Sequence, residues 1–79
     1  MWDISLNGNT LIVDFGLNYT SNVKICLTYL DGAISPMEMY SGRLEKGDYH
    51  KEFEINGKGL FALNLFINGQ AFTRKLYLK

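Results

Sequence analysis

The sequence is poor in cysteine and proline. Cys26 is the one cysteine among 79 residues, which excludes an internal disulfide and a cysteine-rich zinc site. Pro36 is the one proline, and we expect it at a strand edge or a bulge because it cannot donate to a strand ladder. The chain must therefore stabilise itself by packing one apolar core. Its apolar content of 47% favours a folded globule over a disordered chain.

Excess charge and long apolar runs are also missing. Eight basic and eight acidic residues cancel, which removes the usual electrostatic reason to expect a nucleic acid or an anionic membrane surface as partner. No run approaches the roughly 18 apolar residues of a membrane span, so we expect no membrane insertion. No basic segment followed by an apolar run opens the chain, as it would in a signal peptide. Two interpretations remain, a cytoplasmic protein or a piece of a longer exported precursor.

Alternation of apolar and polar residues predicts β-strands throughout, and no window of 11 or more residues shows helical periodicity. In the clearest strand Val23, Ile25 and Leu27 share one face. Seven strands are predicted, at residues 2–6, 10–15, 23–30, 33–40, 49–55, 60–67 and 70–78. No linker or repeat divides them, so residues 1–79 are expected to form a single domain.

Tight turns join most of these strands. The pairs Asn7-Gly8, Asp31-Gly32 and Asn68-Gly69 are typical of two-residue hairpins of type I′, since both residues tolerate a positive φ. Longer loops are predicted at residues 16–22 and 41–46, where the chain would cross between two sheets. The pattern favours an all-β antiparallel sandwich of about seven short strands, with a small barrel as the alternative.

Six segments in the last three quarters of the chain combine apolar strands with glycine turns. They are NVKI (22–25), YLDG (29–32), LEKGDY (44–49), GLFAL (59–63), NG (68–69) and RKLYLK (74–79). The pattern resembles a group of small bacterial immunoglobulin-like domains. This group includes the C-terminal sorting domains of type IX secretion cargo, the immunoglobulin-like domain of the flagellar hook-capping protein, and short uncharacterised secreted domains.

The resemblance implies an immunoglobulin-like β-sandwich and a non-enzymatic role. The domain would be the C-terminal sorting or assembly domain of an exported bacterial protein, in the periplasm or at the cell surface. A protein of the secretion or assembly machinery would read the final hairpin by main-chain pairing and by contacts with its basic end. The recognition residues that follow from this are Gly59, Phe61, Gly69, Arg74, Lys75 and Lys79.

Chemically reactive side chains are few. His50, Glu52 and Glu54 alternate and so share one strand face, which would suit a metal or acid–base site. The same alternation is typical of the polar outer face of a half-buried strand, and this is the interpretation we prefer. Cys26 is expected to be an inert, sheet-bound residue. No catalytic residue, metal ligand or cofactor site is predicted, and we expect no enzyme activity.

Aromatic residues offer an alternative function. Trp2, Tyr19, Tyr40 and Tyr77 would bind carbohydrate or a protein partner if they formed an exposed platform. The domain would then be an accessory binding module. Side chains of this kind more often cap a small core. Three or more aromatic rings lying flat on one surface would favour the binding module.

Overall fold

Seven antiparallel strands make up the regular structure of the domain. The computed structural model describes residues 2–30 and 37–78. The strands are β1 (Trp2–Asn7), β2 (Thr10–Leu17), β3 (Ser21–Tyr29), β4 (Met37–Leu44), β5 (Gly47–Glu54), β6 (Gly59–Ile67) and β7 (Gln70–Leu78). The predicted all-β class and strand number are confirmed. Among these residues no helix has the length and apolar character needed to cross a bilayer.

The strands form two sheets that pack face to face. One sheet has the order β1-β2-β5 and the other β4-β3-β6-β7, and all neighbours are antiparallel. The chain crosses between the sheets after β2, β4 and β5. This is the order of strands A, B and E against C′, C, F and G in immunoglobulin-like sandwiches. The predicted sandwich is therefore confirmed, and the barrel alternative is wrong.

The core lies between the two sheets and follows from the period of two in each strand. In β2 the side chains of Leu11, Val13 and Phe15 are buried, and β6 contributes Phe61 and Leu63, both fully buried. Each such side chain stabilises the fold by about 1.5–3 kcal/mol. The outer faces carry mainly polar and half-buried residues, together with the buried Cys26 and Ala62 of the four-stranded sheet, and these faces carry the chemistry discussed below.

The loop after β2 is shorter than the predicted span of residues 16–22. β2 continues to Leu17, which is buried, and β3 begins at Ser21. The Ser21 hydroxyl is buried and donates to the carbonyl of Tyr19 at 2.9 Å. Packing and a side-chain hydrogen bond thus extend both strands into a segment rich in turn-forming residues.

The loop predicted at residues 41–46 is wrong for its first four residues, because β4 runs through them to Leu44. Ser41 pairs with Lys24, and Gly42 pairs with Val23. Pairing with a long neighbouring strand overrides the weak strand preference of serine and glycine. The predicted strand start at residue 33, the turn at residues 31–32 and the site of Pro36 lie outside the described residues.

The first hairpin turn lies one residue later than predicted. β1 ends with Asn7 paired to Thr10, so the turn residues are Gly8 and Asn9. Gly8 has φ +61°. The second turn residue, Asn9, does not have a positive φ, because Asn68 is the one described non-glycine residue that has one. A positive φ at the first turn residue alone is the pattern of type II′, which places glycine first.

Candidate functional site

The recognition residues predicted from the sequence are spread over the β6–β7 hairpin. Gly59 opens β6 with φ +109°, and Gly69 lies in the hairpin turn with φ +85°. Phe61 is fully buried, and its ring centroid lies 6.0 Å from that of Tyr29. A partner cannot touch Phe61 in the folded domain, so its contribution is to packing. Lys79 lies outside the described residues.

Arg74 connects the two sheets at the edge formed by β7 and β1. Its Nη1 donates to Asp3 Oδ1 at 3.1 Å and to the Ile4 carbonyl at 3.0 Å. Its guanidinium also lies 5.1 Å from the centre of the Trp2 ring. The charge, the Nη1 donor and the planar face of Arg74 are thus engaged within the domain. Its primary role in this structure is to fasten β1 to β7.

Lys75 points to the opposite side of β7, onto the outer face of the four-stranded sheet. It shares this face with Ala71, Thr73 and Tyr77, and the exposed fraction of Tyr77 is 63%. The Thr73 hydroxyl donates to Asn64 Oδ1 at 2.6 Å. Lys75 has no ion pair with any described residue. Of the two basic residues predicted in this strand, Lys75 is therefore the one free to meet a partner.

The backbone of β7 presents an unpaired edge. In a two-residue hairpin the closing pair, here Ile67 and Gln70, exchanges both hydrogen bonds, and bonded pairs then alternate along the ladder. The even-numbered residues of β7 therefore bond to β6. The odd-numbered residues of the strand direct their N–H and C=O groups outward, at positions 71, 73, 75 and 77. The Leu30 N–H donates to the Leu60 carbonyl at 2.9 Å. This bond agrees with the alternation, because it shows that the even-numbered residues of β6 bond toward β3, which leaves its odd-numbered residues to bond to β7.

The turn of this hairpin is tied to the start of β3. Asn68 has φ +51° and Gly69 φ +85°, the positive pair of a type I′ turn, as predicted. The Asn68 N–H donates to the Asn22 carbonyl at 2.8 Å, and its Oδ1 accepts from the Asn22 N–H at 2.9 Å. Its Nδ2 donates to the Ser21 hydroxyl at 3.2 Å. The side chain thus fixes the hairpin tip against the sheet.

His50 lies on the outer face of the three-stranded sheet between two carboxylates. Its Nε2 is 2.6 Å from Glu52 Oε2, and its Nδ1 is 2.5 Å from Asp14 Oδ1. Both nitrogens donate only in the imidazolium form, and the hydrogen bonds to Glu52 and then Asp14 raise the pKa of His50 above its usual 6.5. Glu54 instead accepts from the Thr10 hydroxyl at 2.9 Å. The predicted polar outer face is confirmed, and it contains an ion-pair cluster.

Asp14 is the member of this cluster that sequence reasoning missed. It is the cross-strand neighbour of His50 in the β2–β5 ladder, a pairing that no local motif encodes. In the imidazolium form both nitrogens donate to carboxylates, and His50 then has no lone pair to offer a metal ion or a substrate proton. Among the described residues no three His, Cys, Asp or Glu side chains are grouped as metal ligands. Cys26 is buried and free.

The aromatic residues predicted as a platform do not share one surface. Tyr77 is exposed on β7 and Tyr40 lies on β4, at opposite edges of the four-stranded sheet. Tyr19, 66% exposed, lies in the loop between β2 and β3. Trp2 is half-buried beneath the guanidinium of Arg74. The Tyr40 ring is in contact with a lysine, because the Nζ of Lys51 lies 4.4 Å from its centre. The arrangement that would favour an aromatic binding module is not present.

Two depressions, each open to solvent, lie on opposite sides of the sandwich. One, of about 540 Å³, lies at an end of the three-stranded sheet and is lined by Asp14, Asp48 and His50 among others. The other, of about 550 Å³, lies on the four-stranded sheet and is lined by Lys24 and Arg43 among others. Neither encloses a ligand as a typical small-molecule site does. They differ in the sign of their charge.

No protein family, no curated protein and no solved structure matches this chain.

Proposed function

We propose that this domain is a non-catalytic sorting or assembly module of a longer exported bacterial protein, like the C-terminal sorting domains of type IX secretion cargo. A protein of the secretion or assembly machinery adds a strand to the free edge of β7. The observation that carries the proposal is the nine-residue edge from Gln70 to Leu78, whose pairing with β6 is continuous. Such an edge is a template for strand addition.

The other three edges are less suited to this role. β4 contains a register shift in its pairing with β3, and β-bulges disfavour further pairing. β1 has six residues, and Arg74 occupies the carbonyl of Ile4. β5 directs the charged side chain of Lys51 toward the rim, where it packs on Tyr40. β7 has neither a bulge nor a proline, so it favours a partner strand most.

The side chains beside the outward-facing amides supply specificity. Thr73, Lys75 and Tyr77 alternate along the outer face of β7 and present a hydroxyl, a cation and an aromatic ring. In strand addition the main chain provides affinity, and alternate side chains select the partner. Lys75 favours a strand with a carboxylate in the matching position. Arg74 serves recognition indirectly, by fastening β1 to β7.

A non-enzymatic role agrees with the chemistry of the described residues. The imidazole of His50 is held between two carboxylates in an ion-pair cluster on the outer face of its sheet. The thiol of Cys26 is buried in a sheet. A nucleophile with an adjacent base and an orienting group is not assembled from these side chains.

The test uses a proline in place of an outward-facing residue. In Thr73→Pro one edge N–H is lost, whereas the hydrogen bonds between β6 and β7 remain, and edge strands tolerate proline where the N–H faces solvent. Thr73→Val keeps the N–H and removes the hydroxyl contact to Asn64. Glu54→Pro is the matched control on β5, where it removes an outward N–H and the contact to Thr10.

Each variant is fused to the C-terminus of a reporter that carries a signal peptide, in a cell with the type IX machinery. Folding of each isolated domain is checked by two-dimensional NMR. The proposal predicts surface display for the wild type, Thr73→Val and Glu54→Pro, and retention in the periplasm for Thr73→Pro. Periplasmic retention of the folded wild-type fusion would contradict the sorting role. Display of Thr73→Pro at the wild-type level would contradict recognition through β7.

A further inference from the structure

Charge is segregated between the two outer faces of the sandwich, although the net charge is zero. We define the acidic face as the outward-pointing side chains of β1, β2 and β5. It carries the carboxylates of Asp3, Asp14, Asp48, Glu52 and Glu54. The one basic group that these three strands contribute is the imidazole of His50, since neither lysine nor arginine points outward from them, and Arg74 reaches Asp3 from β7.

We define the basic face as the outward-pointing side chains of β3, β4, β6 and β7. It carries Lys24, Arg43 and Lys75, with Glu38 as its one carboxylate among the described residues. Glu38 lies 3.6 Å from Lys24. Arg43 and Lys75 have no ion pair with any described residue. The basic face therefore offers unneutralised cations to an acidic surface.

Each face also has apolar side chains between its charges. On the acidic face, Ile12 is half-buried on the outer side of the central strand, beside Glu52. On the basic face, the half-buried Phe66 lies beside Lys24 in the β3–β6 ladder, and Ala62 lies near the middle. An apolar centre within a polar rim is the usual composition of a protein interface. The two faces thus match in composition and are opposite in charge.

We propose that the acidic face of one copy docks on the basic face of a second copy. The domain measures 36 × 24 × 16 Å, so each broad face offers on the order of 800 Å², the area that one partner buries in a standard interface. Because the two faces lie on opposite sides of the domain, the contact is head-to-tail and leaves both outer ends free. Such a contact does not close and produces a linear stack.

A second copy is the occupant because one chain supplies both complementary surfaces. A basic partner for the acidic face, or an acidic partner for the basic face, would explain one surface and leave the other unexplained. The stacking rests on the charges of the sheet faces rather than on the hydrogen-bonding edge of β7, and Lys75 is the charged residue that both surfaces share. It lets copies displayed together form an ordered array.

The experiment exchanges the charge of one face at a time. The first variant, Asp48→Lys with Glu54→Lys, removes most of the net negative charge of the acidic face and leaves the His50 cluster intact. The second, Lys24→Glu with Lys75→Glu, makes both faces acidic. The control, Lys46→Glu with Lys58→Glu, changes the net charge as much as the second variant does. Its residues lie in loops and belong to neither face.

Sedimentation velocity is measured from 10 µM to 1 mM protein at about 20 mM and about 500 mM NaCl, salt concentrations that differ severalfold in charge screening. The proposal predicts reversible self-association of the wild type and the control at low salt, and its loss at high salt. Each face variant alone is monomeric, and an equimolar mixture of the two associates, because the unchanged basic face of the first variant then meets the unchanged acidic face of the second.

Three results would overturn the proposal. One is a monomeric wild type at 1 mM in low salt. The second is association of either face variant alone to the wild-type extent, which would assign the contact to another surface. The third is a mixture of the two folded variants that stays monomeric. Folding of each variant is confirmed by NMR before mixing. Association of the mixture then shows that the unchanged face of each variant still binds its complement.

Discussion

Replacing Arg74 with methionine tests whether its side chain fastens the two sheets together. Methionine keeps the aliphatic stem and removes the charge and the donors. The exposed ion pair with Asp3 contributes about 0.2–1 kcal/mol, the hydrogen bond to the Ile4 carbonyl about 1 kcal/mol, and the contact with the Trp2 ring about 0.5–1 kcal/mol. The free energy of unfolding should fall by about 2 kcal/mol. A domain of this size has about 4–12 kcal/mol in total, so the loss is large.

Urea denaturation followed by tryptophan fluorescence measures this change, since Trp2 is the one tryptophan. Circular dichroism provides a second probe that does not depend on the ring itself. In a double-mutant cycle with Asp3→Asn, the coupling energy between residues 3 and 74 should be about 0.5 kcal/mol. A loss below about 0.5 kcal/mol in Arg74→Met, with no coupling, would refute the reasoning. Arg74 would then be free for a partner, as the sequence resemblance implies.

Three other predictions concern packing, a turn and pH. Gly57→Ala should destabilise the domain by more than 1 kcal/mol in urea, because Gly57 has φ +146° and a Cβ there would lie 2.5 Å from the Tyr29 hydroxyl; wild-type stability would contradict that contact. Phe61→Ala should cost about 3–5 kcal/mol, and a smaller loss on thermal denaturation would contradict its complete burial. The pKa of His50 is raised, so its ion pairs stabilise the fold fully below about pH 6.5 and are lost as pH rises through the folded-state pKa. NMR titration should show a pKa above 6.5 that falls in Asp14→Asn, and an unshifted value would contradict the cluster.

Strand β7 shows what turn chemistry and alternation can predict. Its observed bounds, Gln70–Leu78, are those expected from the sequence, because Asn68 and Gly69 permit a type I′ turn that fixes where the strand begins. Its inward residues follow from the period of two. The type of the first turn is not predicted in the same way, since Asn7, Gly8 and Asn9 permit two placements of a two-residue turn.

The candidate site depends on pairings between distant strands. Asp14 and His50 are 36 positions apart, and only the β2–β5 register brings them together. The engagement of Arg74 by β1 likewise requires residues about 70 positions away. The sequence predicts that these side chains lie on strands, yet the choice of neighbouring strand is a long-range property. The extension of β4 through Ser41 and Gly42 has the same origin, since its partner β3 decides it.

Photocross-linking in the secreting cell can detect whether a partner strand docks on β7. A photoreactive amino acid is introduced at residue 73, on the outer face of β7, and at residue 54 on β5, in separate reporter fusions. If the partner strand binds at β7, a covalent adduct with a machinery protein forms from residue 73 and none forms from residue 54. Adducts of equal yield from both positions, or an adduct from residue 54 alone, would contradict recognition through β7.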